Sequence, residues 1–364
     1  KNNQVEAVGS DYLCFQYYAY NRFLKFTKNV MSKQKVKFKR LIKLVFLSSI
    51  ALMVFSREGL TNLIVRKFQA TKNTNNSRVD SPVQLVSELS DSEFVVSVKD
   101  FGAVGDGEVD DTSAIQRAIA GVRDAGGGTV FFPNGTYKVS ILPDEYVAIS
   151  IYSNVTLQGA SNQESIIKLA EQKNSYSSIL AGEKPSSNLS YFAMYDLSID
   201  GNGLANQMSP DIEEKENEQT INEMNHALRI YNGSGIKVER CRFINMNTRN
   251  AITVNGNDPP FNVIVSDVLI KDNIFESIGG GEFDHDHSTI YTHAERIKII
   301  NNTFNSRNGA GTNAARTAIE IHGDDHEVKG NLINGFANGI FVTGYAASSD
   351  NLIVNDNIIE DAHT

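Results

Sequence analysis

The chain has 364 residues, of which 41% are hydrophobic and 21% charged, with two cysteines and no tryptophan. This apolar fraction excludes a wholly disordered chain, and two cysteines exclude a disulfide scaffold or a Cys-rich zinc module. Residues 1–72 carry fourteen Lys and Arg against three acids (+11), and the remainder carries twenty against forty (−20). Because phosphate contacts need basic clusters, the acidic body is not expected to bind nucleic acid. At about 150 residues per domain, length alone suggests two domains.

The N-terminal residues have the layout of an export signal. In residues 31–56 a basic block, Lys33–Arg40, precedes the apolar run Leu44–Phe55. This order predicts a signal peptide or an N-terminal membrane anchor, although the run is shorter than the ~20 residues of a full bilayer span. The alternative is an amphipathic helix on a soluble domain. We therefore expect a secreted or cell-surface protein that contacts a membrane only through this leader, if it is uncleaved.

Two flanking segments have no strong pattern. Residues 1–30 begin with Lys and are rich in Tyr and Phe. They form a leader to which we assign no structure or function. They indicate either that the chain is a fragment or that Met31 is the true start. Residues 57–94 are polar toward their end and indicate a linker.

The segment Val98–Val139 predicts one helix followed by strands. Asp110 and Asp111 stand where an N-cap belongs, and Gly126–Gly128 would end the helix. Between them, apolar residues recur at helical spacing, and these are Ala114, Ile115, Ala118, Ile119 and Val122. A short β-rich run, Thr129–Phe132, comes next. One amphipathic helix followed by strands suits a cap over the open end of a stack of strands.

This segment, VKDFGAVGDGEVDDTSAIQRAIAGVRDAGGGTVFFPNGTYKV, resembles the N-terminal capping motif of the pectate lyase superfamily, in its rhamnogalacturonase/epimerase-like form. The resemblance covers about forty positions and implies a right-handed parallel β-helix. It does not specify the reaction, because lyases, hydrolases, epimerases and phage tailspikes share the motif.

Downstream, a short pattern with an Asn slot recurs. Five copies begin at Ile236, Val268, Ile297, His326 and Leu352, and their slots hold Cys241, Asn273, Asn302, Asn331 and Asn357. Successive slots are 32, 29, 29 and 26 residues apart, a period typical of a solenoid. Alternating apolar residues within each copy predict strands, and the repeated Asn predicts a ladder of stacked amides. A degenerate earlier copy holds Phe192, Met194, Leu197 and Ile199. Cys241 is expected to be a buried packing residue.

The expected fold is therefore all-β, a right-handed parallel β-helix over residues 95–364 with one N-terminal capping α-helix. About six to eight coils of ~25–30 residues fit this length. No cap follows the last copy, so we expect the solenoid to continue beyond Thr364.

A second strand in each unit carries the candidate site. If Val254, Thr292, Ile321 and Val342 are aligned and point inward, their neighbours point outward, ~4.8 Å apart between coils. Three outward columns follow, and they hold Arg249, His287 and Arg316; Thr253, Tyr291 and Glu320; and Asn255, His293 and His322. The preceding segments Glu276–Asp286 and Asn305–Ala315 are long, and we predict two loops that wall a cleft.

This patch suits proton abstraction from a uronate. The C5 proton is weakly acidic, so a cation must neutralise the sugar carboxylate while a base takes the proton. We assign Arg249 or Arg316 to the carboxylate, Tyr291 or His293 to acid–base transfer, and His287 or His322 to support. Loss of the C4 oxygen would make a lyase, and a proton returned to the other face would make a C5-epimerase.

The segment FDHDH loosely resembles the Asp-x-His region of mannuronan epimerases, which usually reads FDPHE. It contributes Phe283, Asp284 and Asp286 as candidate substrate-binding residues, with Phe283 available for sugar stacking.

Two other functions remain open. A glycoside hydrolase would need two carboxyl groups ~5–9.5 Å apart, and Glu320 with Asp324, Asp325 or Asp284 would supply them. Arg296–Lys298 matches a polygalacturonase motif but stands in the wrong order, which indicates a chance match. A non-catalytic glycan-binding surface or phage-type protein is the third possibility.

The metal requirement is open. Asp284, Asp286, Asp324 and Asp325 could hold Ca²⁺, and His285, His287 and His293 a transition metal, but no spacing is specific. The expected partner is a polysaccharide substrate, and the expected state is a monomer or a trimer.

Overall fold

The computed structural model describes residues 94–141, 146–171, 177–182, 188–206, 226–247, 250–254, 265–281, 288–306, 313–314, 317–344 and 350–361. The leader and nearly all of the linker lie outside these described residues, so their assignments stay predictions. No helix within the described ranges is long and apolar enough to cross a bilayer.

A single α-helix, α1 (Thr112–Asp124), lies near the N-terminal end of the described chain, behind a short 3-10 helix, Val98–Phe101. Its predicted apolar face is buried as expected and packs against the first strands. The capping roles divide between two aspartates: Asp110 accepts the Thr112 N–H at 2.9 Å, whereas Asp111 accepts the Val104 and Gly105 N–H groups. Asp111 therefore holds the loop before the helix.

The body is a stack of coils, and each coil contributes a strand to up to three parallel sheets. Sheet I holds Val95–Ser97, Gly128–Phe132, Val155–Gly159, Ala193–Tyr195, Gly233–Glu239, Val265–Lys271, Glu295–Ile300, Glu327–Lys329 and Ile353–Asn355, with Leu189–Ser190 beside it. Sheet II holds Asp106–Asp110, Gly135–Val139, Ser165–Leu169, Ser198–Asp200, Arg242–Asn247, Ile274–Gly281, Thr303–Asn305, Leu332–Asn334 and Ile358–Glu360, with Asn313–Ala314 beside it. Sheet III holds Val147–Ile151, Ser178–Gly182, His226–Ile230, Ile252–Val254, Ser288–Thr292, Thr317–Ile321 and Asn338–Val342.

The seven strands of sheet III correspond to about seven coils, so the predicted parallel β-helix and its capping helix are confirmed. Inward-pointing aliphatic and aromatic side chains form one continuous core. Within it the rings of Phe243, Phe275 and Phe304 stack on consecutive coils, with centroids 5.0 and 4.7 Å apart.

The predicted amide ladder is present at the corner between sheets I and II. Asn302 shows its pattern: its side-chain amide donates to the Ile270 carbonyl and to Asn331 Oδ1, and its oxygen accepts the Asn273 N–H at 2.9 Å. Cys241 closes the ladder by donating its backbone N–H to Asn273. The periodic Asn therefore satisfies backbone groups that the corner would leave unpaired.

A left-handed residue precedes each ladder slot and turns the corner. These residues have φ between 51° and 66° and are Asp196, Arg240, Asp272, Asn301, Gly330 and Asp356. Asn, Asp and Gly adopt this conformation most readily, which accounts for the dipeptides Asp-Asn, Asn-Asn and Gly-Asn in the repeats.

One prediction about the cleft walls is wrong in part. The predicted loop Glu276–Asp286 begins later, because Ile274–Gly281 is a continuous strand. Its end pairs antiparallel with Asn313–Ala314, inside the second predicted loop, with Gly279 opposite Ala314. The glycine triplet indicated a loop, but this pairing supplies backbone hydrogen bonds that keep it extended.

Candidate active site

The candidate site lies on the outer face of sheet III, and its predicted register is confirmed. Thr253 is the strand partner of Tyr291, and Tyr291 is the partner of Glu320. His293 and His322 follow two residues after Tyr291 and Glu320, and alternation places each on the same face as its neighbour. Five of the predicted residues therefore meet on three consecutive coils.

Two hydrogen-bonded dyads form on adjacent coils. Tyr291 Oη lies 2.6 Å from His293 Nε2. On the next coil, Glu320 Oε1 lies 3.0 Å from His322 Nε2, while Glu320 Oε2 accepts the hydroxyl of Ser288. An ionised Glu320 is an acceptor only, so it fixes the Nε2–H tautomer of His322.

The dyads stack against each other. The His293 and His322 rings lie 4.0 Å apart between centroids with an interplanar angle of 11°, and the Tyr291 ring lies 5.3 Å from the His322 ring. His293, His322 and Glu320 are only 3–4% exposed, whereas Tyr291 is half-buried. The predicted outward-pointing patch is thus a mostly buried cluster, and Tyr291 is its most exposed member.

Burial shapes the acid–base behaviour of this cluster. Burial first, and the neighbouring His322 second, lower the pKa of His293 to about 4, although the Glu320 carboxylate opposes both effects. His293 is therefore neutral at pH 7. Its Nδ1 and that of His322 are buried and have no hydrogen-bond partner among the described residues. A bare, unpaired acceptor is more readily tolerated than an unpaired N–H, which favours a proton on Nε2 of His293, facing Tyr291.

Sequence reasoning missed two polar residues on the preceding coil, both on the strand His226–Ile230. Arg229 is the strand partner of Thr253, so it extends the Tyr291–Glu320 column, and its guanidinium lies 4.7 Å from the Tyr231 ring centroid. His226 Nδ1 lies 2.9 Å from Thr253 Oγ1. Extending the alignment by one unit, Leu228 with Ile252, would have found Arg229.

Several predicted residues lie outside the described residues and stay predictions. They are Arg249 and Arg316 for the carboxylate, His287 for support, Phe283, Asp284 and Asp286 for substrate binding, and the column residue Asn255.

Two carboxylates that the hydrolase hypothesis would use, those of Asp324 and Asp325, form structural hydrogen bonds. Asp324 accepts the Asp350 N–H at 2.7 Å, and Asp325 accepts the Asn351 amide at 3.0 Å, so both link to the next coil. Arg296 forms a bidentate ion pair with Asp267 on sheet I. This contact agrees with a structural role for Arg296 and a chance motif match.

Within the described part of the chain, the structure shows neither a cluster of metal ligands nor an accessible cysteine thiol. There, no group of three His, Cys, Asp or Glu side chains is arranged to hold a metal ion. Cys241 is fully buried and burial raises its pKa to about 12, so it packs in the ladder slot as predicted.

The fold and the clustered acid–base residues define a pectate-lyase-like parallel β-helix protein. Residues 95–341 match the family described as rhamnogalacturonase A/epimerase, pectate lyase-like, and the chain belongs to this family. Its relatives include a mannuronan C5-epimerase and an alginate lyase.

Two curated relatives come from Azotobacter vinelandii. Mannuronan C5-epimerase AlgE3 is 30% identical over 236 residues, which are 62% of this chain and 12% of that protein. Alginate lyase 7 is 44% identical over 108 residues, 29% of this chain and 12% of that protein. The matched part thus spans about an eighth of each relative.

Among solved structures, PfbA, a surface adhesin of Streptococcus pneumoniae, superposes with a TM-score of 0.55 at 22% identity, covering 73% of this chain and 63% of that chain. At this identity the likeness shows the fold alone.

Proposed function

We propose that this protein acts on a uronate-containing polysaccharide by abstracting the C5 proton, as a lyase or C5-epimerase. The observation that carries the proposal is the Tyr291–His293 dyad stacked on the Glu320–His322 dyad. A phenolic oxygen held at 2.6 Å by an imidazole is a suitable acid–base group. The names of the two Azotobacter relatives support the same chemistry on uronates.

The roles follow from position and exposure. Tyr291, the half-buried member, touches the sugar and exchanges the proton. His293 positions and stabilises the Tyr291 oxygen, and Glu320 holds His322 behind it. Charge neutralisation of the reacting carboxylate is assigned to Arg249 or Arg316. Arg229 lies two coils from Tyr291, ~10 Å at the strand spacing, which suits the carboxylate of a neighbouring sugar.

The predicted leader favours an exported protein. A surface location would place the site against extracellular or cell-wall polysaccharide. A non-catalytic glycan-binding protein is the second candidate, because a cluster of polar and aromatic side chains on the outer face of sheet III also suits glycan binding without a reaction.

The test is proton exchange at C5. Mannuronan, polyguluronate and polygalacturonate are incubated in D₂O with the full chain, and products are followed by NMR and by the ultraviolet absorbance of the C4–C5 double bond. C5 deuterium or the double bond is expected. Tyr291→Phe should lower the rate by at least about 100-fold. The control Tyr191→Phe changes an exposed tyrosine between the strands Leu189–Ser190 and Ala193–Tyr195 and should leave the rate unchanged. Binding without either signal would establish the glycan-binding alternative.

A further inference from the structure

A cavity of about 340 Å³, here called the corner cavity, opens between the ends of sheet III strands and the starts of sheet I strands, beside the end of α1. Its lining includes Arg123, Tyr152, Asn154, Gly182, Asn188 and Leu189. The volume lies within the range of small-molecule pockets. Tyr152 follows the first strand of sheet III and His293 follows the fifth, which separates them by ~19 Å at the strand spacing. The corner cavity is therefore distinct from the candidate active site.

A glycine at an inward position forms part of the cavity wall. Gly182 is the strand partner of Ile151, and Ile230 holds the equivalent position on the next strand. Both isoleucines are buried, whereas a Cβ on Gly182 would meet no atom of the described residues within 4 Å. The φ of Gly182 lies outside the left-handed region, so the backbone itself does not require glycine. The residue therefore provides space where neighbouring coils place a large side chain.

Arg123 and Tyr152 give the cavity a cationic and aromatic side. The guanidinium carbon of Arg123 lies 4.4 Å from the Tyr152 ring centroid. Arg123 Nε also donates to Asp124 at 2.8 Å, and these side chains are 39% and 67% exposed. Exposed ion pairs contribute little to stability, so a ligand carboxylate can replace Asp124. The planar guanidinium binds a carboxylate through two parallel hydrogen bonds, and a tyrosine ring suits the apolar face of a sugar.

Two exposed side-chain amides, those of Asn154 and Asn188, complete the polar lining. An amide both donates and accepts hydrogen bonds, as sugar hydroxyls do. Backbone contacts fix the position of both residues: the Asn154 N–H donates to the Ser190 carbonyl at 3.0 Å, and Ser153 Oγ donates to the Asn188 carbonyl at 2.8 Å. The amides therefore project from a hydrogen-bonded corner.

We propose that the corner cavity binds one uronate residue of an acidic polysaccharide. The carboxylate binds Arg123, the sugar ring packs on Tyr152, and the hydroxyls bind Asn154 and Asn188. The ligand class rests on the proposed function, whereas the site rests on the cavity and its lining. A polymer held here keeps its other sugars at a high effective concentration near the candidate active site, an advantage that a short oligosaccharide bound at only one site does not have.

The test observes ligand binding at the cavity itself. The full chain, labelled at isoleucine and leucine methyl groups, is titrated by NMR with mannuronate and galacturonate tetrasaccharides and with their carboxyl-reduced forms. The methyl signals of Ile151 and Leu189, both in the cavity lining, should shift with a uronate tetrasaccharide. The carboxyl-reduced sugar should bind at least about 10-fold more weakly, because it lacks the charge-assisted hydrogen bonds to Arg123.

Three variants change the cavity in different ways. Gly182→Ile fills it and should weaken binding at least about 10-fold, while the thermal unfolding temperature stays the same or rises. Arg123→Gln should reduce uronate affinity to that of the carboxyl-reduced sugar. Asp124→Asn removes the competing carboxylate and should strengthen uronate binding by about 2-fold or more.

Arg240→Gln is the matched control. Arg240 also lies over a tyrosine ring, 5.4 Å from the Tyr195 centroid, and pairs with Asp196, but it is outside the lining of the corner cavity. Its replacement should leave the affinity and the methyl shifts unchanged.

The outcomes separate this site from the proposed function. The site is wrong if neither uronate tetrasaccharide shifts the two methyl signals, if the carboxyl-reduced sugar binds equally well, or if Arg123→Gln binds like the parent protein. Each of these results leaves the proposed C5 chemistry standing. Conversely, methyl shifts that depend on Arg123, without C5 deuterium or a double bond on any polymer, would remove the proposed reaction and retain the binding site.

Discussion

The imidazole rings of His293 and His322 lie face to face on consecutive coils, 4.0 Å apart and 11° from parallel. Each ring belongs to a dyad, Tyr291–His293 or Glu320–His322, so the stack couples the two. Two imidazolium ions this close would repel in a site with little water, and protonation of one ring therefore disfavours protonation of the other.

The low pKa of His293 makes stability depend on pH. Its pKa is about 4 in the folded state and 6.5 for a solvent-exposed histidine in the unfolded chain. Between these pH values the unfolded chain therefore binds more protons than the folded chain. The free energy of unfolding should fall as pH drops from about 6.5 to about 4 and level off below. His293→Asn should reduce this slope in denaturant titrations at several pH values. His326, whose pKa burial also lowers, should retain part of it. An unchanged slope in the variant would contradict the assignment.

The Glu320 carboxylate raises the pKa of His293 against the effect of burial. Glu320→Gln removes this charge, so the pKa of His293 should fall below its parent value. The measurement is an NMR titration of the histidine ring protons. Glu327→Gln is the matched control, because Glu327 pairs with Lys298 on sheet I. A higher pKa of His293 in the Glu320→Gln variant would contradict the assigned effect of the Glu320 carboxylate.

The amide ladder should contribute strongly to stability. Asn302→Ala removes the acceptor of the Asn273 N–H and the donor to the Ile270 carbonyl, both buried. Each buried group left unpaired costs about 1–3 kcal/mol, so chemical denaturation should show a loss of about 2–6 kcal/mol. Asn355→Ala, at an exposed position, should change stability by less than about 0.5 kcal/mol. Equal losses in both variants would mean that the ladder has no special role.

The stacked Phe rings should contribute to stability as other closely packed core side chains do. Phe275 lies between Phe243 and Phe304 and is fully buried. Phe275→Ala should cost about 3–5 kcal/mol through lost burial and the cavity left behind. Phe275→Leu should cost less, because it keeps most of the volume. Thermal and denaturant unfolding would measure both, and a reversed order would contradict the packing argument.

The turn after α1 offers a matched pair of glycines. Gly126 and Gly128 both have positive φ, but a Cβ on Gly126 meets no atom within 4 Å, whereas one on Gly128 would lie 2.2 Å from the Phe94 carbonyl oxygen. Gly126→Ala should cost about 1–2 kcal/mol of conformational strain. Gly128→Ala should cost at least about 1 kcal/mol more, because the backbone must move. Equal unfolding free energies would refute the steric contribution.

The repeat itself could be predicted from sequence because each coil meets the same requirement. Inward positions must be apolar, and the corner slot must satisfy backbone groups, so Ile, Phe and Asn recur with a period that is visible without a structure. The same alignment predicted that Thr253, Tyr291 and Glu320 share one column, since parallel strands in register place equivalent residues side by side.

Tertiary structure alone decided how these residues interact. Sequence spacing predicted that these side chains point outward from sheet III. Their low exposure of 3–4% and the stacking of one ring on another depend on the distances between coils and on what covers the face. The glycine triplet became strand through its pairing with Asn313–Ala314, a contact set by chain folding rather than by local propensity. Periodicity determines which face a side chain occupies, whereas hydrogen bonding, solvent exclusion and the resulting pKa of His293 require the coils to be stacked in space.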